Sequence, residues 1–209
     1  MGLEQREEGK FITILGGKFS QRVPEGTDGA VQRTNKLGKV VWEKYYDSFT
    51  GYLTSIKIKD SDYGQTWNLG FKAGDEHYTI QLSYSNSFAT AFLKMLPNID
   101  LSKPMKLSPS TKEVDGKNKS SLFINQDDKP IKHAYTRDNP NGLPDMEEIT
   151  VKGTKVWDDT KRLEFLRNMV ETTIIPKLGG TQPVDDQITV EAIPEEKTAE
   201  QQAVEDLPW

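Results

Sequence analysis

The chain has 209 residues, 34% of them hydrophobic, no cysteine, two histidines and a formal net charge of −5. That length suffices for one large domain or two small ones, and the low apolar fraction means that a polar segment dilutes a core. The missing cysteines exclude a disulfide framework, thiol catalysis and a thiolate zinc site. No run approaches the roughly 18 apolar residues of a membrane span, and the charged residues of 1–10 lead into nothing resembling a signal peptide, so a cytoplasmic protein is expected.

The charge is unevenly placed. Residues 181–209 hold eight acids against Lys197, a net −7, which leaves residues 1–180 at +2. The split predicts a globular domain over 1–180 and a disordered acidic tail over 181–209, whose scattered Val and Ile offer too little apolar surface to offset the entropy of ordering them. A weakly basic domain can hold phosphate when its lysines are grouped on one face.

In chain order, Phe11 to Leu15 predicts a strand stopped by Gly16-Gly17, and residues 20–39, rich in Gly and basic side chains, predict a mobile loop. Val40-Val41-Trp42 reads as extended. In Tyr52 to Lys59, Ile56 and Ile58 fall on one face and Lys57 and Lys59 on the other. The turn 60–64 leads to the alternating strand Trp67 to Phe71, and Gly74-Asp75 leads to Tyr78 to Tyr84, which together predict an antiparallel meander.

The period then changes. Ser85 or Ser87 can cap a short helix carrying Phe88, Ala91, Phe92 and Met95 at helical spacing, and Pro97 ends it. Strands resume at Met105 to Leu107, at Ser121 to Ile124 after the turn Asp115-Gly116, and at Ile131 to Tyr135. Residues 136–157 read as loop. A second helix is predicted from Asp158 to Ile175, with Leu163, Leu166, Val170 and Ile174 as the stripe that packs on the barrel. Strands, one helix between the third and fourth, then strands is the order of an OB-fold, a five-stranded Greek-key barrel, here mainly β with elaborations and a C-terminal helix.

Catalytic constellations are hard to assemble from these residues. Gly17-Lys18 is followed by Phe19, which excludes a phosphate-binding P-loop there, and neither H-E-x-x-H nor G-x-S-x-G occurs. Asp127-Asp128 and Asp158-Asp159 could hold magnesium in a nuclease, but a hairpin turn and a helix start account for acids at both places. His77 and His133 are far apart in sequence. No catalytic group, metal or cofactor is expected.

Binding an unpaired nucleic-acid strand needs cations that follow the phosphates and aromatic faces on which bases stack. The segment 39–84 interleaves both. The candidates are Lys39, Trp42, Lys44, Tyr45, Tyr46, Lys57, Lys59, Trp67 and Lys72, joined by Lys117 and Lys119 on the later hairpin. Trp67 shares a face with Leu69 and Phe71, so packing competes with stacking there. Trp42, Tyr45 and Tyr46 surround polar Glu43, Lys44 and Asp47, where no single core face holds all three. The expected ligand is single-stranded DNA, without strong sequence preference; the alternative is a protein-binding scaffold of the same fold.

Two resemblances add to this reading. The tail ending Glu205-Asp206-Leu207-Pro208-Trp209 resembles the C-terminal tip of bacterial single-stranded DNA-binding proteins, with tryptophan in place of their terminal phenylalanine and only two acids before the apolar triplet. The body over 40–178 is similar to single-stranded DNA-binding proteins of tailed bacteriophages, in Phe92-Leu93-Lys94-Met95-Leu96-Pro97-Asn98, in Asn139-Pro140-Asn141-Gly142-Leu143-Pro144 and in Val156-Trp157-Asp158-Asp159. The resemblance implies a role in phage DNA replication or recombination in the bacterial host cytoplasm. It also implies that Glu205 and Asp206 supply the acidic element, and Leu207, Pro208 and Trp209 the apolar anchor, of a tip that recruits replication or recombination proteins.

Overall fold

The computed structural model describes residues 9–178 apart from 36, 63 and 152. The protein is mainly β. The strands are β1 (Lys10–Leu15), β2 (Lys18–Val23), β3 (Val31–Thr34), β4 (Val40–Tyr46), β5 (Phe49–Lys59), β6 (Thr66–Ala73), β7 (Glu76–Ser83), β8 (Met105–Val114), β9 (Lys117–Gln126), β10 (Lys129–Pro130), β11 (Glu147–Val151) and β12 (Thr154–Asp158). The helix α1 (Ser87–Met95) separates β7 from β8, and α2 (Thr160–Met169) follows β12. Among the described residues no helix is long and apolar enough to cross a membrane.

Ten strands form one mixed sheet in the order β10-β9-β8-β5-β6-β7-β1-β2-β4-β3, and β11 and β12 form a separate hairpin. The expected meander is β5-β6-β7, joined by short turns and paired antiparallel throughout. The expected later hairpin is β8-β9, whose turn is made by Asp115 and Gly116, both at positive φ. β5 is shared: Phe49–Gly51 pairs with β8 and Tyr52–Lys59 with β6. The parallel pair of β1 with β7 then extends the sheet beyond the five strands expected.

Inward side chains come from both ends of the sheet. Trp67, Leu69, Phe71 and Ile80 of the meander, Met105, Leu107 and Ile124 of the hairpin, and Phe92, Leu93 and Leu96 of the first helical segment are all almost fully buried. Phe49 meets Phe19, Phe71 and Tyr78 edge to face, with ring centroids 6.2, 5.3 and 5.2 Å apart, so β2 is packed against the meander as well as hydrogen-bonded to its own neighbours. The turn of β1-β2 also reaches β8: a Cβ on Gly17 would stand 2.4 Å from the Thr111 backbone nitrogen, and Gly17 has φ +79°.

α1 packs against β9 and β7. Its cap is Asn86, whose side chain accepts from the Ala89 N–H at 2.7 Å, in place of the serine expected on either side. The second helix buries Leu163, Leu166, Val170 and Ile174 as expected, but its last turns loosen into a π-helical segment over Val170–Ile174 and a 3-10 turn over Ile175–Leu178. Pro176 cannot donate to a continuing helix.

Three expectations fail. Residues 20–39, expected as one loop, hold the end of β2, which is paired on both sides by β1 and β4, and all of β3, an edge strand whose mostly exposed side chains leave no apolar alternation to read. Ile131 to Tyr135 is not a strand, and the two-residue β10 ends before it at Pro130: the Ala134 N–H donates to the Lys94 carbonyl and the Asn98 amide to the Lys132 carbonyl, so this segment is bonded to the end of α1 and the 3-10 turn after it. Residues 136–157, expected as loop, contain β11 and most of β12.

One charge is buried in the added strands. Glu43 is only 3% exposed and accepts two hydrogen bonds from Arg33, at 2.6 and 2.9 Å, and one from the Tyr45 hydroxyl at 2.8 Å. The Arg33 guanidinium, against the opposing effect of burial, holds the Glu43 carboxyl at about 2. The stability this group contributes is complete above its ordinary value of 4.5 and is lost as pH falls toward about 2. Glu43→Ala is expected to cost about 1.5–3 kcal/mol in urea unfolding at neutral pH, and the difference from wild type is expected to shrink as the titration is repeated toward pH 2. Gly17→Ala is expected to cost about 1–3 kcal/mol in the same assay, from backbone strain and the clash with β8.

Candidate nucleic-acid interface

Cross-strand partners share a face, so the register of the meander fixes what its outer surface carries. The rows are Tyr52, Lys72 and His77; then Ser55, Gly70, Thr79 and Phe11 of β1; then Lys57, Asn68 and Gln81; then Lys59, Thr66 and Ser83. The Gln81 amide donates to the Asn68 side chain at 3.3 Å, which confirms that these two point the same way. This face is opposite the core residues Ile56, Leu69, Phe71 and Ile80. It joins three of the predicted lysines, Lys57, Lys59 and Lys72, to two exposed rings, Tyr52 at 47% and Phe11 at 58%.

The β8-β9 hairpin continues the surface. Thr50 pairs with Lys106 and Lys106 with Asn125; Ser108 pairs with Phe123, which is 59% exposed; Lys112 stands directly opposite Lys119. Lys117 lies beside the turn. Like charges facing each other across a ladder repel, and among the described residues Lys57, Lys59, Lys72, Lys112, Lys117 and Lys119 form no ion pair. The surface is therefore cationic, uncompensated and set with flat apolar rings.

The remaining predicted residues are dispersed. Register through β1 and β2 places Trp42, Lys44 and Tyr46 on the side of the sheet that carries Phe19 and the core, and Tyr45 on the outer side, where its hydroxyl is engaged by Glu43. Trp42 and Lys44 are half-buried and Tyr46 is 41% exposed. Lys39 follows a turn in which the Asn35 side chain accepts from the N–H groups of Leu37 and Lys39, leaving the lysine side chain exposed.

Trp67 is a correction. It is 1% exposed, its ring stacks on Tyr84 at 5.4 Å with 6° between planes, and its Nε1 donates to the Tyr84 carbonyl at 3.2 Å. Both ring faces and the indole N–H are used by the core, so no base can reach it. Glu205, Asp206, Leu207, Pro208 and Trp209 lie outside the described residues.

The paired carboxylates take the structural places expected of them. Asp127 and Asp128, both at positive φ, turn β9 into β10, and Asp127 is ion-paired with Lys103 at 2.6 Å. The Asp158 carboxylate accepts from the Thr160 N–H and hydroxyl at 3.0 and 2.6 Å, and these bonds lower its pKa.

Phe11, Tyr52, Phe123, Lys106 and Lys112 complete the face; of these the sequence already offers Tyr52 among the rings of segment 39–84 and Lys112 among the lysines of the later hairpin, but not Phe11, Phe123 or Lys106. A signal for Phe123 was present: Leu122 and Ile124 point inward, so the ring between them points out. Compared with known proteins, the chain matches no protein-family model, no curated protein and no solved structure.

Urea unfolding separates core rings from surface rings. Trp67→Ala is expected to cost about 3–5 kcal/mol, whereas Tyr52→Ala and Phe123→Ala are expected to stay within about 0.5 kcal/mol of wild type.

Proposed function

We propose that this chain binds and coats single-stranded DNA without strong sequence preference, on the outer face of β5-β6-β7 and along the β8-β9 hairpin, and that it acts by binding alone. The observation that carries the reading is the coincidence on one face of exposed rings, which meet water at a cost unless covered, with lysines that have no counter-charge among the described residues. Rings offer bases a stacking surface whatever their identity, and lysines follow a backbone whatever its sequence. Both features point to a strand, read by shape and charge.

The connectivity supports an OB-type barrel as the binding body. The segment β9-β8-β5-β6-β7, with α1 inserted between β7 and β8, has the strand order of that fold, and the outer face of its second and third strands is the one such barrels use for oligonucleotides. The acidic residues 181–209 and the tip Leu207-Pro208-Trp209 fit recruitment of replication or recombination proteins during phage DNA metabolism, and the same acids can compete with DNA for the lysines.

Fluorescence anisotropy with labelled oligo-dT tests this directly. Tight binding at low salt is expected, falling steeply as salt is added, and Tyr52→Ala or Phe123→Ala is expected to weaken it by about 1–3 kcal/mol each. A chain ending at residue 180 is expected to bind more tightly at low salt. Absence of binding by both the full chain and the shortened one would overturn the proposal.

A further inference from the structure

Lys94, in the last turn of α1, is half-buried, and its ammonium has no hydrogen bond and no ion pair among the described residues. Two cavities, of about 300 and 360 Å³, meet at it, and Arg162 of α2 lines both. The Arg162 side chain is only 19% exposed; its Nε donates to the Pro144 carbonyl at 3.0 Å, and its nearest carboxylate, the fully exposed Asp145, stands 4.0 Å from one terminal nitrogen. Arg137 lines the first cavity and His133 the second. Asp159 also lines the second cavity, yet it pairs with neither cation.

Cations gathered in a half-buried space disfavour one another unless an anion joins them. The pKa of Lys94 is lowered by burial and by the charge of Arg162, and that of His133 by burial and by the charge of Lys94. We infer that Lys94 and Arg162, with Arg137 beside them, form a phosphate-binding site between α1 and α2. An ammonium and a guanidinium with a free terminal nitrogen suit a group that presents several oxygens at once.

The surroundings name the source. The second cavity shares Ala91 and His133 with a further groove, lined also by Met95 of α1 and by Leu122, Phe123 and Ile124 of β9. The groove that Phe123 lines and the cavity that Lys94 lines adjoin at Ala91 and His133, which makes a phosphodiester of a strand lying on Phe123 the source of the phosphate; this identification rests on the proposed function, whereas the site itself does not.

The test uses the full chain as wild type, Lys94→Met, which keeps the aliphatic stem, and Lys94→Arg, which keeps the charge. Each is titrated with inorganic phosphate and followed by amide NMR, and each is titrated with oligo-dT over a range of salt. Phosphate is expected to move the signals of residues 94, 134–137 and 162 in wild type and Lys94→Arg but not in Lys94→Met. Loss of one contact is expected to lower the salt slope for oligo-dT by about 0.7 in Lys94→Met alone. Phosphate shifts with an unchanged slope would assign the site to a free phosphate compound, and phosphate shifts without any oligo-dT binding would keep the site while removing the proposed function. No phosphate shifts in wild type, or shifts at these residues produced only by a peptide of residues 197–209, would overturn the inference.

Discussion

The geometry of the outer face depends on a single irregularity in β5. Between Leu53 and Ser55 the pairing with β6 slips by one residue, so that Leu53 and Ile56, three apart, both enter the core, and Tyr52 is left outside beside Lys72. A regular strand would send Tyr52 to the same side as Ile56. The slip is accommodated at Gly70, where the Ser55 hydroxyl occupies the space that any Cβ would need, standing 2.3 Å from that position. A Cβ at 70 would displace the Ser55 hydroxyl from that space and crowd the Thr54 hydroxyl beside it.

The charges of the protein divide into those it satisfies internally and those it does not. Glu43 with Arg33, Lys10 with Glu76 and Lys103 with Asp127 are joined within the fold, and the first of these is deep enough to be structural. Among the described residues the lysines of the meander and hairpin stand without counter-charges, and Lys112 even faces Lys119. Surface ion pairs contribute little to folding, so leaving these cations unpaired costs the fold little while preserving their full attraction for a polyanion. The formal charge of −5 hides this, because it averages a basic surface with an acidic terminal segment.

Much of the core was legible because it is local and periodic. The meander, the helix after it and the apolar stripe of the second helix follow from alternation, capping and spacing within short windows, and the side chains of Leu69, Phe92 and Leu166 went where the pattern sends them. The site was legible in its lysines and not in its rings. Lys57, Lys59 and Lys72 are out of phase with their apolar neighbours, but Tyr52 is exposed by a bulge that no local pattern announces, and Trp67 is claimed by Tyr84, a residue of the turn after β7. The sheet extension was illegible for the same reason: β1 joins β7 through a parallel pair distant in sequence. β11 and β12 were missed because Ile149, Val151 and Trp157 are exposed on a hairpin that stands apart from the main sheet.

That parallel pair orders events in time. β1 pairs locally with β2, but Lys10 is also matched with Tyr78, so this hairpin joins the meander only once β7 exists, and the entropy of closing so large a loop is met at that step. Until then β7 has an open edge, able to accept a strand from any neighbouring chain; once seated, β1 moves the open edge on, through β2 and β4, to the four-residue β3. The first strand thus acts as a latch that converts a long sticky edge into a short polar one, and the interval before it closes is when the newly made chain is most exposed to pairing with its own copies.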